Sequence, residues 1–270
     1  MALLIKLPIL LPAVCFLVWW YLFARRSSSR TAVFKTAIVF GSAVVAVNEI
    51  LSLFDALTRL SLTLFWGAAA AGSLFFLLRS VHPRECIRHI ITQMRSWSRP
   101  RWNETFLAAA VLILVAFSGL TAALSPPNTY DAMVYHLPRI VYWIQHQNLD
   151  LYPTHELKQL HMAPGAEFLM LQLHLLFGSD RLLNLLQWGA MAGCLAGIWL
   201  IARRLGAGRV GAWLAVLFCI SIPQGIIQAT CPKSDYVMAF WLVAAICLAL
   251  EFRDHPSLRN AALMGLSFGL

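Results

Sequence analysis

The stretch 105-TFLAAAVLILVAFSGLTAALSPPNTYDAMVYHLPRIVYW-143 decides the fold. Its first twenty residues, 105–124, carry no charge. At about 1.5 Å per residue such a helix matches the roughly 30 Å of bilayer hydrocarbon. The Ser-Pro-Pro at 125–127 then interrupts it, because proline lacks the N–H a helix needs. Beyond the break an apolar stripe at helical spacing (Met133, Leu137, Ile140, Ile144) continues, but it now carries Asp131, Tyr135, His136 and Arg139.

Working outward, similar apolar runs recur. Spans are predicted near 3–24, 36–54, 60–78, 105–124, 182–202, 208–226 and 236–252. Apolar residues make up 60% of the chain and charged ones 12%, against about a quarter charged in soluble domains. The run 261-AALMGLSFGL-270 is too short to cross a bilayer, so the sequence reads as a piece of a longer chain in which a further span begins. The first run ends in the bulky 19-WWYLF-23 with no small-residue cleavage site, and reads as a retained anchor rather than a signal peptide. The fold class predicted is an all-α polytopic membrane protein in three parts. Residues 1–104 hold three spans and a basic loop, 105–252 form the core with an external loop at 125–181, and 253–270 open a further helix.

The net charge of +9 is a topology signal. Arg25, Arg26, Arg30 and Lys35 are read as one loop, and Arg79, Arg84, Arg88, Arg95, Arg99 and Arg101 as another. Arg203, Arg204 and Arg209 form a third, and Arg253 and Arg259 a fourth. Basic residues gathered in alternate loops mark those loops as cytoplasmic. This distribution excludes nucleic acid as the partner of the basic excess, and it puts 125–181 and 227–235 on the outer face. The loop at 79–101 is read as a short amphipathic helix on the inner surface, facing membrane lipids. Six cysteines show no disulfide or zinc spacing.

The long external segment is not a solvated loop. Thr129 is predicted as N-cap of its helix, with Asp131 in the first turn and a kink at Pro138. Tyr135, Tyr142 and Trp143 are types that settle at headgroup depth. The piece 164-PGAEFLMLQLHLLFG-178 is too short to span and is expected to lie in the interface or dip in and out. Glu49, within the second predicted span, is read as a partner for another helix, and Lys6 and Arg59 as snorkelling to headgroups.

Two carboxylates reach the same depth on the outer face. Asp131 follows one span, and Asp235 opens the next within 231-CPKSDYVMAF-240. A charge at the apolar boundary is costly unless paired or used. Around them stand Arg139, Lys158, Lys233, His136, His155, His161 and Glu167. The competing reading makes each aspartate a charge at its own helix start, with Ser234 as cap for the second. The residues by themselves support an outward-facing polar site and no more.

The ordered series does more. The aspartate after a span, the interfacial helix, the short apolar piece ending in Phe-Gly, 202-ARRLGAGRVGAWLA-215 and 229-ATCPKSDYVMAFWLVAA-245 together resemble the GT-C superfamily of polyprenyl-phosphate-dependent glycosyltransferases. The nearest branch is that of bacterial relatives of protein O-mannosyltransferases and of the lipid A aminoarabinose transferase. The resemblance covers about residues 105–252. It implies a GT-C-like transmembrane helix bundle in a bacterial inner membrane with its site facing the periplasm. It implies a polyprenyl-phosphate-linked sugar as donor and a hydroxyl as acceptor. Asp131 matches the first-loop acidic residue and would be the base, while Asp235 would assist it or ligate a divalent cation. Arg139, Lys158 and Lys233 would hold the donor phosphate, with Tyr135, His136, His161 and Glu167 completing the substrate site. Carboxylate oxygens suit magnesium or manganese, and the resemblance assigns no metal ligand set. Two departures stand out. Ala132 follows Asp131 where the family often has a second acidic residue, and 161-HMAPGAEF-168 replaces a Lys-Pro, with Lys158 or His161 in the lysine's place.

One geometric expectation separates the readings. A transferase site predicts that Asp131 and Asp235 converge within about 12 Å, by analogy with paired glycosidase carboxylates. At least one of Lys158, Lys233, Arg139 or His161 should join them. A transporter or flippase predicts instead polar groups lining a midplane path. A non-catalytic scaffold of a polysaccharide assembly complex predicts neither.

Overall fold

Apolar runs of twenty residues satisfy their own backbone within the segment only as helices once they leave water, and the computed structural model contains helices and no strand among its described residues. It describes residues 4–25, 29–80 and 101–270. A 3-10 turn, Leu4–Ile9, leads into α1 (Leu10–Ala24), followed by α2 (Ser29–Ser52), α3 (Arg59–Ser80) and α4 (Trp102–Leu124). A π turn, Ala132–His136, runs into α5 (Leu137–His146), and a single helical turn, α6, covers Lys158–His161. Then come α7 (Gly165–Phe177), α8 (Leu183–Arg204), α9 (Arg209–Ile220), α10 (Pro223–Gln228), α11 (Asp235–Asp254) and α12 (Leu258–Gly269). Among the described residues six helices are long and apolar enough to cross a membrane: Lys6–Ala24, Arg30–Ser52, Arg59–Ser80, Trp102–Leu124, Asp180–Arg204 and Asp235–Asp254.

Two sequence expectations need correction. The span read at 208–226 is divided, because Pro223 forces Ile222 into an extended conformation (ψ 114°) and restarts the chain as α10. Arg30 and Lys35 are not loop residues. Helix α2 begins at Ser29, and Lys35 is buried in an ion pair with Glu251 of α11, whose charge makes that burial tolerable. The short apolar piece, too short to span, packs against the long helices. As α7 it forms part of the main core, with Met170, Leu171 and Leu176 fully buried. The amphipathic helix read at 79–101 falls largely outside the described residues.

Helix contacts are made close by small residues, as lipid-embedded bundles require. On α8, Gly193 and Gly197 face α11. A Cβ on Gly197 would lie 2.1 Å from Val243 Cγ1, and one on Gly193 2.5 Å from the Phe240 ring. Gly119 of α4 admits the Trp188 indole, whose Nε1 donates to Val115 O at 2.9 Å. One chain of polar side chains crosses the bundle. Trp66 Nε1 donates to Gln172 Oε1, Gln172 Nε2 to Asn48 Oδ1, and Asn48 Nδ2 to Phe168 O, tying α3, α7 and α2 together.

The bundle has two distinct ends. At one, Glu251 pairs with Lys35 and approaches Arg204, while Glu104 pairs with Arg209 at 3.0 Å. Arg30 and Arg203 also both lie over the Trp199 ring there. At the other end, Leu57 N donates to Gln147 O, Asn148 bonds Asp55, and Arg59 donates to Leu176 O at the C-terminus of α7. Lys6 sits 4.4 Å over the Phe177 ring at this same end. The segment 125–181 and the turn at 229–234 belong to this second end.

Candidate functional site

The site is built at the second end, where α4 leaves off and α11 begins. Helix α8 holds both in register. Asn184 Nδ2 donates to Ser125 O at 2.8 Å, securing the exit of α4. Gln187 Oε1 accepts from the backbone N–H groups of Tyr236 and Val237 at 2.9 and 3.2 Å. The first turn of α11 is thus capped from a neighbouring helix, and neither Ser234 nor Asp235 caps it with its own side chain. Asp131 makes no side-chain cap bond either. Both carboxylates are left for other partners.

Asp131 finds Lys233. The ammonium donates to Asp131 Oδ2 at 2.8 Å, joining residues 102 positions apart. The lysine side chain is 13% exposed and the aspartate 36%. The hydrogen bond from Lys233 lowers the Asp131 pKa, helped by the charges of Lys158 and His136, against a smaller desolvation penalty. Burial acts most strongly on Lys233 and pulls its pKa down, but the hydrogen bond and charge of Asp131, with Cys231 and Asp235, outweigh it and leave it raised. Asp235 is exposed, and its charge bears on both Lys233 and Tyr135. The Tyr135 phenol is pushed up to about 12, first by burial and then by Asp131, Asp235 and Glu167. Lys158 completes the group with its Nζ 5.6 Å from the centre of the Tyr135 ring.

Asp131 is turned toward Lys233 by the π turn. Leu137 N–H donates to Ala132 O, five residues back, so one extra residue is accommodated and the preceding turn rotates by about 100°. The helix accommodates Pro138 this way, and its first carbonyl acceptor is Thr129, to which Met133 N–H donates.

Other predicted site residues lie below. Arg139, His136 and Glu167 are all buried. Glu167 Oε1 accepts from Arg139 at 3.1 Å and lies 2.9 Å from His136 Nδ1. The remaining Arg139 nitrogens donate to Gln159 O and Lys158 O. Arg139 is therefore a strut beneath the 158–161 turn rather than an open phosphate ligand. His161 is exposed and bonds only Leu157 O in its own turn, and His155 is exposed. A cavity of about 160 Å³ opens on the far side of Arg139, between Glu49, Trp143, Asp150, Tyr152 and Gln159. Glu49 borders this cavity and is exposed near the end of α2, so it is not a partner for another helix in mid-span.

Sequence reading missed Asn184, Gln187 and Gln159. The signal for the first two was present: amides inside the apolar 183-LNLLQWGA-190 must find buried partners. Asp131 is occupied by an ammonium, and no three His, Cys, Asp or Glu side chains gather among the described residues. No family model matches the chain, and neither a curated protein nor a solved structure is significantly similar to it.

Proposed function

We propose that this is an integral membrane glycosyltransferase of the GT-C type. It would move a sugar from a polyprenyl-phosphate donor to an acceptor hydroxyl on the periplasmic face of a bacterial inner membrane. The observation that carries this reading is the Asp131–Lys233 pair, with Asp235 and Lys158 within electrostatic range, at the end of the bundle opposite the basic one. A donor whose lipid tail stays in the bilayer presents its phosphate and anomeric carbon at this depth.

The chemistry follows from the charges. The acceptor oxygen forms its bond to C1 as the C1–O bond to phosphate breaks, and the leaving electron pair stays on the phosphate. Lys233 and Lys158 stabilise that growing negative charge. Asp131 takes the acceptor's proton. A carboxylate held by an ammonium is a weak base, but donor phosphate arriving at Lys233 competes for the same hydrogens and frees Asp131 when the donor is in place. Asp235, exposed and uncapped, faces the positive charge that develops at the sugar ring. A transport path would need polar groups open along the midplane, whereas Asn48 and Gln172 bond each other.

The test is transfer of radiolabelled sugar from polyprenyl-phosphate donors in membranes holding the full-length protein. Asp131→Asn should lower the rate by about 10²–10⁴-fold, the usual worth of a positioned base. Transfer by Asp131→Asn at the wild-type rate sinks the proposal.

A further inference from the structure

Pro138 has no N–H, so Val134 O, one turn back, loses its helical donor. The side-chain amide of Gln159 takes that place, donating to Val134 O at 2.7 Å. Its oxygen accepts from the hydroxyls of Tyr152 and Thr154 at 2.9 and 3.2 Å. Its backbone carbonyl accepts from Arg139 Nε, and the neighbouring Lys158 carbonyl from the same guanidinium. One amide side chain thus joins the π turn that presents Asp131, the irregular segment 149–157 and the turn that carries Lys158.

We propose that Gln159 is a positioning residue for the Asp131 site, holding Lys158 and the π turn at a fixed separation through its bond to Val134 O. The placement stands on geometry alone, and only its kinetic consequence rests on the transferase reading. A residue that merely filled space here would be replaced by any side chain of similar volume. A positioning amide needs its donor. Two variants separate these. Gln159→Met keeps the volume and loses both polar ends. Gln159→Glu keeps an oxygen for Tyr152 and Thr154, lacks a donor when ionised, and regains one when protonated.

The experiment is amide hydrogen exchange over 132–137 in the full-length protein, beside sugar transfer from a labelled polyprenyl-phosphate donor. Exchange is run at pH 8 and at pH 3.5, below the ordinary glutamate pKa of about 4.3, and transfer at pH 8, each against wild type at the same pH. Gln159→Met should exchange about tenfold faster at both pH values, as loss of its part-buried hydrogen bond to Val134 O implies. Gln159→Glu should match it at pH 8 and return toward wild type at pH 3.5. Transfer at pH 8 should fall in kcat in both variants, with KM little changed. Wild-type exchange in both variants, or no pH-dependent recovery in Gln159→Glu, overturns the proposal. Exchange that follows the pattern while wild type shows no transfer overturns the transferase reading and supports the placement of Gln159.

Discussion

Asp131 meets an ammonium rather than open water, and that contact governs how both groups titrate. The Asp131 carboxyl is held below its ordinary 3.8, so the stability it contributes is present above 3.8 and lost as pH falls through the lowered value. Lys233 is raised above 10.5, so its contribution is present below 10.5 and lost as pH rises through the raised value. The pair is intact across the whole interval between. Replacing Lys233 with methionine removes the largest cause holding Asp131 down, leaving burial opposed only by Lys158 and His136. The acid limb of the kcat/KM profile for sugar transfer, which reports the free enzyme, should therefore move to higher pH in Lys233→Met. An acid limb in the wild-type position would mean that the lysine does not set the ionisation of Asp131.

At the scale of elements, α8 is the part on which the site depends, because one helix holds the exit of α4 and the entry of α11. Gln187 is fully buried and supplies the acceptor for two N–H groups that α11 cannot satisfy itself. Gln187→Leu should cost about 1–2 kcal/mol, the range of interhelical hydrogen bonds in membranes. A thermal unfolding midpoint in detergent lowered by a few degrees checks it, and an unchanged midpoint would place the cap elsewhere. The same scale shows what could be read in advance. The six long spans were legible because twenty apolar residues admit few alternatives. The π turn was not, since Pro138 alone predicts only a kink, and the relief comes from Gln159, in a different part of the loop. Nor could the piece at 165–177 be placed, because apolarity describes a lipid-facing helix and a core helix equally well. Asp131, Asp235 and Lys233 were singled out by depth, but which cation would reach which carboxylate depends on packing that no local pattern encodes.

The whole molecule is a helical bundle with unlike ends. One is laced by Lys35, Glu251, Arg204, Glu104 and Arg209. The other gathers the segment 125–181, the start of α11 and the carboxylate–ammonium pair. Asp131 and Lys233 lie 102 residues apart, so only the complete arrangement of α4, α8 and α11 brings them together. If they act as one unit on a lipid-linked sugar, their effects cannot add. The most direct test is a double-mutant cycle on the rate of transfer from a polyprenyl-phosphate sugar, using Asp131→Asn, Lys233→Met and the pair of changes together. Each single change should lower the rate by about 10²-fold or more, and the double variant should be no slower than the worse single one. Losses that multiply, or an Asp131→Asn protein as fast as wild type, would contradict it.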